Sequence, residues 1–374
     1  MDFNLSEQQE LLKKSARDFL TKECPPKLVK EMTSDEKGYP PELWNKMAEL
    51  GWMGLPIPEE FDGAGASFFV LFVLLEEMGR ACLPGPFFSS IVYGGLALQE
   101  AGSQAQKAEL LPQVAEGKLI LTVALTEGSG RYEPKFINTK AESKNGGYSL
   151  TGRKVFVPDA HVADYIIVAA RTSAALEGIT LFLVDSKSTG ITCNKLPTLA
   201  GDKQFEVVLD NVAVPKENVL GEVDKGWDYI KKTLEKVTVC KCAEMLGGAQ
   251  RSLDMAIDYA KERVQFGRPI GSFQVIQFYC VDMATAVDGC RYIAYRAAWE
   301  LDEGIPCSRD ISIAKAWISD AYREVVSKSN QVHASISYTE DHDLPLYFKR
   351  AKTYQVWFGD AEYHRELIAQ HVLD

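Results

Sequence analysis

Two side chains of the kind that grip phosphate bracket a forced break between helices. Ahead of the break, Leu253, Ala256, Ile257 and Ala260 fall at helical spacing; behind it Ile276, Tyr279, Cys280 and Met283 do the same. Between them runs Phe266-Gly267-Arg268-Pro269-Ile270-Gly271, where two glycines and a proline interrupt any helix. Arg263 stands on the last turn before the break and Gln274 on the first turn after it. A fixed cation and an amide donor at a helix junction suit a phosphate. The same spacing suits a helix hairpin whose arginine caps carbonyls, and spacing alone leaves both open.

The elements that must position this junction can be read in order. Ser6 to Leu20 opens with an N-cap serine and acidic Glu7, then places Leu11, Leu12, Ala16 and Phe19 at helical spacing. Pro40-Pro41-Glu42-Leu43-Trp44 begins a second helix. Ser67 to Arg80, Ser89 to Ala101 and Gln104 to Glu116 read as three more, with Trp52, Phe87 and Phe88 as core. The pattern then changes to short strands at Ile120–Leu125, 136–140, 148–156, 165–170, 180–184 and 205–210, separated by turns such as Asn145-Gly146-Gly147. Such a series implies a small antiparallel barrel or sandwich. From Gly226 the chain is helical again in four or five long segments. The expectation is an α+β multidomain fold: a helical N-terminal domain (1–118), a β-domain (119–222) and a C-terminal helical bundle (223–374).

Composition narrows the function. The 374 residues are 46% hydrophobic and 25% charged, ordinary for a globular protein with ample core. A formal net charge of -11 argues against a nucleic-acid partner, since phosphate backbones demand a basic face. A local arginine can still bind a small anion within an acidic protein. Met1-Asp2-Phe3-Asn4-Leu5 has neither the basic start nor the apolar core of a signal peptide. No apolar run reaches the length of a membrane span. The eight cysteines are scattered, and Cys240-x-Cys242 lies on a predicted helix, so reduced thiols in a cytoplasmic protein are expected and metal ligation is not. His161, His333, His342, His364 and His371 share no ligand spacing and read as surface or capping residues.

Arg263-x-x-Phe266-Gly267 followed by Phe273-Gln274 resembles the flavin-binding helix junction of the acyl-CoA dehydrogenase family, and the resemblance extends from Phe3 to about Ala369. It implies FAD as cofactor, an acyl-CoA thioester as substrate and an electron-transfer flavoprotein-like acceptor. It also implies a homotetramer, or a heterotetramer with a related chain. By the same resemblance Arg263, Phe266, Gln274 and Gln331 contact FAD, usually across a subunit boundary, with Leu125 and Thr126 beside its ring. Leu125-Thr126-Glu127 is similar to the start of the family's T-E-P-x-A-G-S-D loop but continues Gly128-Ser129-Gly130-Arg131. Phe156-Val157-Pro158 stands where many relatives carry Trp-Ile-Thr.

Two departures bear on activity. Gln331-Val332-His333-Ala334-Ser335-Ile336-Ser337-Tyr338 resembles the family's Q-x-x-G-G-x-G-[FY] run, with Ala334, Ser335 and Ser337 at the glycine positions. Each adds a Cβ where backbone would approach a neighbour's FAD, and each resists positive φ. In Lys352–Asp360, which resembles A-K-x-x-x-I-Y-E-G, Phe358 replaces the glutamate that takes the substrate's α-proton. The family's alternative base position corresponds to Val237. Asp360 and Glu244 are the remaining carboxylates of suitable chemistry nearby. The resemblance therefore supports two expectations: FAD-dependent α,β-dehydrogenation of an acyl-CoA, or a catalytically silent partner completing another subunit's site.

Overall fold

The computed structural model describes residues 3–373. Its helices are α1 (Glu7–Glu23), α2 (Pro26–Ser34), α3 (Pro41–Glu49), α4 (Phe68–Arg80), α5 (Gly95–Ala101), α6 (Gln104–Ala115), α7 (Gly226–Glu262), α8 (Gln274–Asp302), α9 (Ser308–His333), α10 (Leu344–Tyr354) and α11 (Ala361–Leu373). Strands β1 (Leu121–Ala124), β2 (Lys140–Lys144), β3 (Gly147–Pro158), β4 (Tyr165–Arg171), β5 (Ile179–Asp185), β6 (Ile191–Leu196), β7 (Gln204–Val214) and β8 (Val219–Leu220) lie between α6 and α7. The order of helices, sheet and helices is the expected one. By contacts the chain forms two compact units. One takes residues up to Glu31, then Ser67–Leu83 and the chain from Thr238 on; the other takes Met32–Ala66 and Pro84–Val237.

In the first unit, α1 begins at the predicted cap. The Ser6 hydroxyl accepts from the Gln9 amide while the Gln9 side chain accepts from the Ser6 amide, satisfying two donors that a helix start leaves open. α4 is apolar nearly all round, yet buries Glu76 and Glu77. Neither charge is stranded. Glu76 accepts from Lys13, Arg291 and the Tyr295 hydroxyl, and Glu77 receives both prongs of Arg17. Burial alone would raise the Glu76 carboxyl; Lys13 and Arg291 outweigh it and hold it below the usual carboxylate range. α1 is thus tied to α4 by charge as well as packing. α4 and α7 meet through glycine: a Cβ on Gly79 would overlap the Glu244 backbone, and one on Gly247 the Glu76 carbonyl.

In the second unit the sheet runs β6-β7-β3-β2-β4-β5-β8 with β1 beside β4. Most ladders are antiparallel, as expected, but β1 pairs with β4 in parallel, a crossover made through the intervening β2–β3 hairpin. The strand expected over 136–140 is displaced. A 3-10 turn spans Pro134–Phe136 and β2 starts only at Lys140, because the Asn138 and Thr139 amides go to the Glu127 carboxylate instead of a ladder. The helix expected from Ser89 begins as a π-helix over Phe87–Gly94, where the Ser89 hydroxyl donates to Asp159 and Ser90 accepts from the Leu121 amide. The β3–β7 register shifts between Lys154 and Val157. That bulge re-aims the strand and leaves Phe156 at φ 56 with its ring 55% exposed.

The glycine crossing is testable. Gly247→Ala should lower stability by about 1–3 kcal/mol or more, the cost of overpacking a filled contact. Urea unfolding reads it, and a midpoint unchanged from the parent protein would contradict so close a helix approach.

Candidate functional site

The helix break is a small hairpin. β9 (Val264–Gln265) and β10 (Arg268–Pro269) pair antiparallel, and the Ile270 amide donates to the Arg263 carbonyl at 2.8 Å to close its base. The two tip residues, Phe266 at φ 55 and Gly267 at φ 79, are both left-handed, as a two-residue hairpin turn of this twist requires. Glycine accepts that conformation freely; phenylalanine does not. Phe266 is nevertheless 92% exposed, so burial of its own ring does not stabilise the strained tip.

Behind the tip lies a cavity of about 650 Å³ lined by Tyr259 of α7 and Arg263 just after it, by Phe266 of the hairpin and Phe273 just before α8, and by His333 at the end of α9 with Ala334 and Ser335 beyond it. Arg263 is exposed on its wall, and among the described residues its guanidinium has neither ion pair nor hydrogen bond. Among the described residues the guanidinium caps no carbonyl. By contrast, Arg268 is occupied, its guanidinium lying 4.3 Å over the Phe273 ring. Gln274 and Gln331 are exposed nearby, but neither lines the cavity.

The far wall is the turn after α9. Ala334 has φ 57 and ψ −142, a region that is otherwise almost confined to glycine. Of the three residues at glycine positions it alone is left-handed. Ala334 and Ser335 are exposed on the cavity wall, whereas Ser337 is buried with its hydroxyl donating to the Ala334 carbonyl at 2.7 Å. So Ser337 does not crowd this space. His333, read from sequence as a surface or capping residue, is instead buried; its ring stacks on Tyr259 at 4.6 Å and Nδ1 donates to the Ser329 carbonyl. His342 does act as a cap, Nδ1 accepting from the Leu344 amide at the start of α10.

The turn carrying Phe358 is fully furnished but lacks a base. Phe358 is buried at φ 58, followed by Gly359 at φ 98. Lys315, wholly buried on α9, donates to the carbonyls of Gln355 at 3.0 Å and Gly359 at 2.8 Å. Burial pulls its ammonium down to about 8. His364, also buried against expectation, donates Nε2 to the Phe358 carbonyl. Both carboxylate candidates are engaged. Asp360 caps α11 by accepting from the Tyr363 amide at 2.8 Å. Glu244 is buried in an ion pair with Lys241, whose ammonium sits 4.2 Å from the Tyr354 ring centre and 4.3 Å from that of Trp357. Val237, the alternative position that the resemblance suggested, is buried and apolar.

In the second unit, the loop after β1 is pinned to β3. The Thr126 carbonyl accepts from the Val155 amide, and the Thr126 hydroxyl donates to the Val155 carbonyl at 2.6 Å. Leu125 is buried and gives its carbonyl to Lys154. Glu127 is an anchor: it accepts from the Asn138 and Thr139 amides, the Thr139 hydroxyl and Lys154. Burial would raise its carboxyl, but Lys154 and these donors hold it low. Beyond the anchor the loop opens, with no atom within 4 Å of where a Gly128 Cβ would stand. Lys154, Lys241 and Lys315 were not singled out from sequence; the only signal was a lysine set inside an otherwise buried run, a placement lysine avoids unless paired.

The Ala334 strain makes a prediction. Ala334→Gly should stabilise the chain by about 1 kcal/mol, since a left-handed alanine carries a penalty that glycine does not. Chemical denaturation measures this, and a loss of stability would show that the alanine methyl packs usefully.

With this geometry in hand, comparison with known proteins is specific. The acyl-CoA dehydrogenase N-terminal, middle and C-terminal domain models match residues 6–118, 122–212 and 224–373. A 3-(aryl)acrylate reductase of Clostridium sporogenes is 33% identical over 375 residues, covering 98% of this chain and 99% of the relative. The solved butyryl-CoA dehydrogenase of Megasphaera elsdenii aligns at TM-score 0.93 and 30% identity over 100% of both chains. A chain of the ChsE4-ChsE5 complex of Mycobacterium tuberculosis aligns at TM-score 0.91 and 27% identity, covering 100% of this chain and 99% of that one. Three domain models in order and a full-length relative above 30% identity establish that the chain belongs to the acyl-CoA dehydrogenase family.

Proposed function

We propose that this chain is one subunit of an FAD-dependent acyl-CoA dehydrogenase-type enzyme built from two related chains. It lends the Arg263 cavity to the FAD diphosphate of the facing subunit, and that subunit supplies the carboxylate that moves the substrate's α-proton. The observation that carries this reading is a mismatch: the guanidinium is free while the turn at Phe358 holds no carboxylate. One similar solved structure is a complex of two differently named chains, ChsE4 and ChsE5.

The residues fit a diphosphate. The cavity is wide enough for one, it is flanked by aromatic rings, and Arg263 offers planar paired donors with no competing carboxylate. Bound FAD supplies hydride acceptance from, or donation to, the acyl β-carbon. This chain's own residues do the rest of what is available to them. Arg263 balances phosphate charge, Phe266 and Phe273 exclude water from that contact, and Lys315 with His364 fixes the turn that in this subunit presents Phe358 instead of a proton acceptor. Arg263→Ala should strip flavin from the two-chain assembly with roughly a 10- to 100-fold rise in the FAD dissociation constant, the loss expected for one charge-assisted contact. Flavin absorbance after gel filtration measures it, and full flavin occupancy in the variant would sink the proposal.

A second reading is favoured by the Thr126 loop. Its anchoring on Glu127 and Lys154, with Phe156 standing half-exposed beside it, supports a flavin ring against this chain's own sheet. On that reading the chain dehydrogenates an acyl-CoA unaided, with a base recruited from elsewhere.

A further inference from the structure

The Arg263 cavity differs from an open diphosphate cradle in one respect that the backbone makes plain. Ala334 keeps a glycine-type conformation, φ 57 and ψ −142, although it carries a methyl group. The surrounding turn therefore enforces a shape that serves close approach of backbone to a ligand, and the side chain then obstructs it. Ser335, the next residue, adds a hydroxymethyl on the same wall, and both are solvent-exposed where they line the cavity. The third substitution, Ser337, turns inward and is satisfied by the Ala334 carbonyl, so the obstruction is confined to two side chains that line the same cavity as Arg263.

We propose that Ala334 and Ser335 set the affinity of this cavity: their side chains hold a nucleotide diphosphate off the wall opposite Arg263, so that the ligand is retained only when a facing subunit supplies the rest of its contacts. This rests on the proposed function and adds a control to it. The cavity becomes a conditional half-site, weak in the free chain and filled on assembly. Selection falls on ligands that bring a second protein surface with them, and free nucleotides of the same diphosphate chemistry are rejected. Nothing else on the wall does this. His333 and Tyr259 are stacked on one another and committed, and Arg268 is held over Phe273.

The test uses the full chain and ADP as a probe of the diphosphate subsite, titrated by calorimetry at low salt. The parent chain should bind ADP weakly, and the double variant Ala334→Gly with Ser335→Gly should bind it at least about tenfold more tightly, the gain of one ordinary contact. Adding Arg263→Ala to the double variant should abolish that gain. Parent and double variant binding ADP equally tightly, both dependent on Arg263, would overturn this inference while leaving the cavity's proposed role intact. ADP binding that is indifferent to Arg263 in every variant would overturn the proposed function itself, and this inference with it. Both substitutions lie on the surface, and relief of the Ala334 strain favours folding, so loss of the fold is not the expected outcome; thermal melts of each variant confirm it.

Discussion

A guanidinium without a counter-charge is the constraint around which this protein is best understood. Within a chain of net charge -11, carboxylates are abundant, and arginines elsewhere find them: Arg17 with Glu77, Arg80 with Asp254, Arg291 with Glu76. Arg263 is kept from such pairing by its position. It ends α7 immediately before a left-handed hairpin tip, and the walls that face it are aromatic, aliphatic and small. A cation held in a partly apolar recess is favourable only if water or an anion meets it, and an oriented anion does so with stronger bonds than water. The hairpin and the end of α9 frame that recess, and the side chains of Ala334 and Ser335 line it.

Buried lysines perform the complementary task of fixing backbone. Lys154 holds the loop after β1 through Leu125 and Glu127, and Lys315 holds the Phe358 turn through two carbonyls. Lys241 pairs with Glu244 between two aromatic rings next to that same turn. A buried ammonium is costly unless its donors are satisfied, and each of these has its donors directed at named acceptors or rings. The Phe358 turn is thus held by Lys315 and His364, while the side chain it buries cannot accept a proton. A turn so held, without a proton acceptor, is what the proposed division of labour between two chains requires.

Much of the fold was legible because it rests on local rules. The Ser6 cap, the apolar run from Ser67 to Arg80 and the Gly-Pro break at Phe266–Gly271 are all short-range signals, and helix and turn energetics follow them. The misreadings arose where tertiary partners overrode those rules. The segment 136–140 alternates like a strand, yet Glu127 takes its amides. Ser89–Ala101 has helical composition, yet two serines bonded to neighbouring elements widen its first turns. His333 and His364 carry no motif, and only the packed structure reveals them as buried donors. The candidate site was legible in the same proportion. Arg263 and Phe266 line one cavity, whereas Gln274, which spacing set beside Arg263, and Gln331 lie outside its lining. Asp360 and Glu244 are engaged by partners only three residues away, the Tyr363 amide and Lys241, but the aromatic cage that buries Lys241 appears only in the packed structure.

The most direct test of the account is turnover of an acyl-CoA thioester, followed together with the visible flavin spectrum. The full chain should be measured alone and then co-expressed with a related family member carrying glutamate at the position of Phe358. The account predicts no turnover from the chain alone, even in excess FAD, and both bound flavin and turnover from the pair. A chain that is yellow by itself and converts acyl-CoA without a partner would contradict it, and would move the search for a proton acceptor back into this subunit.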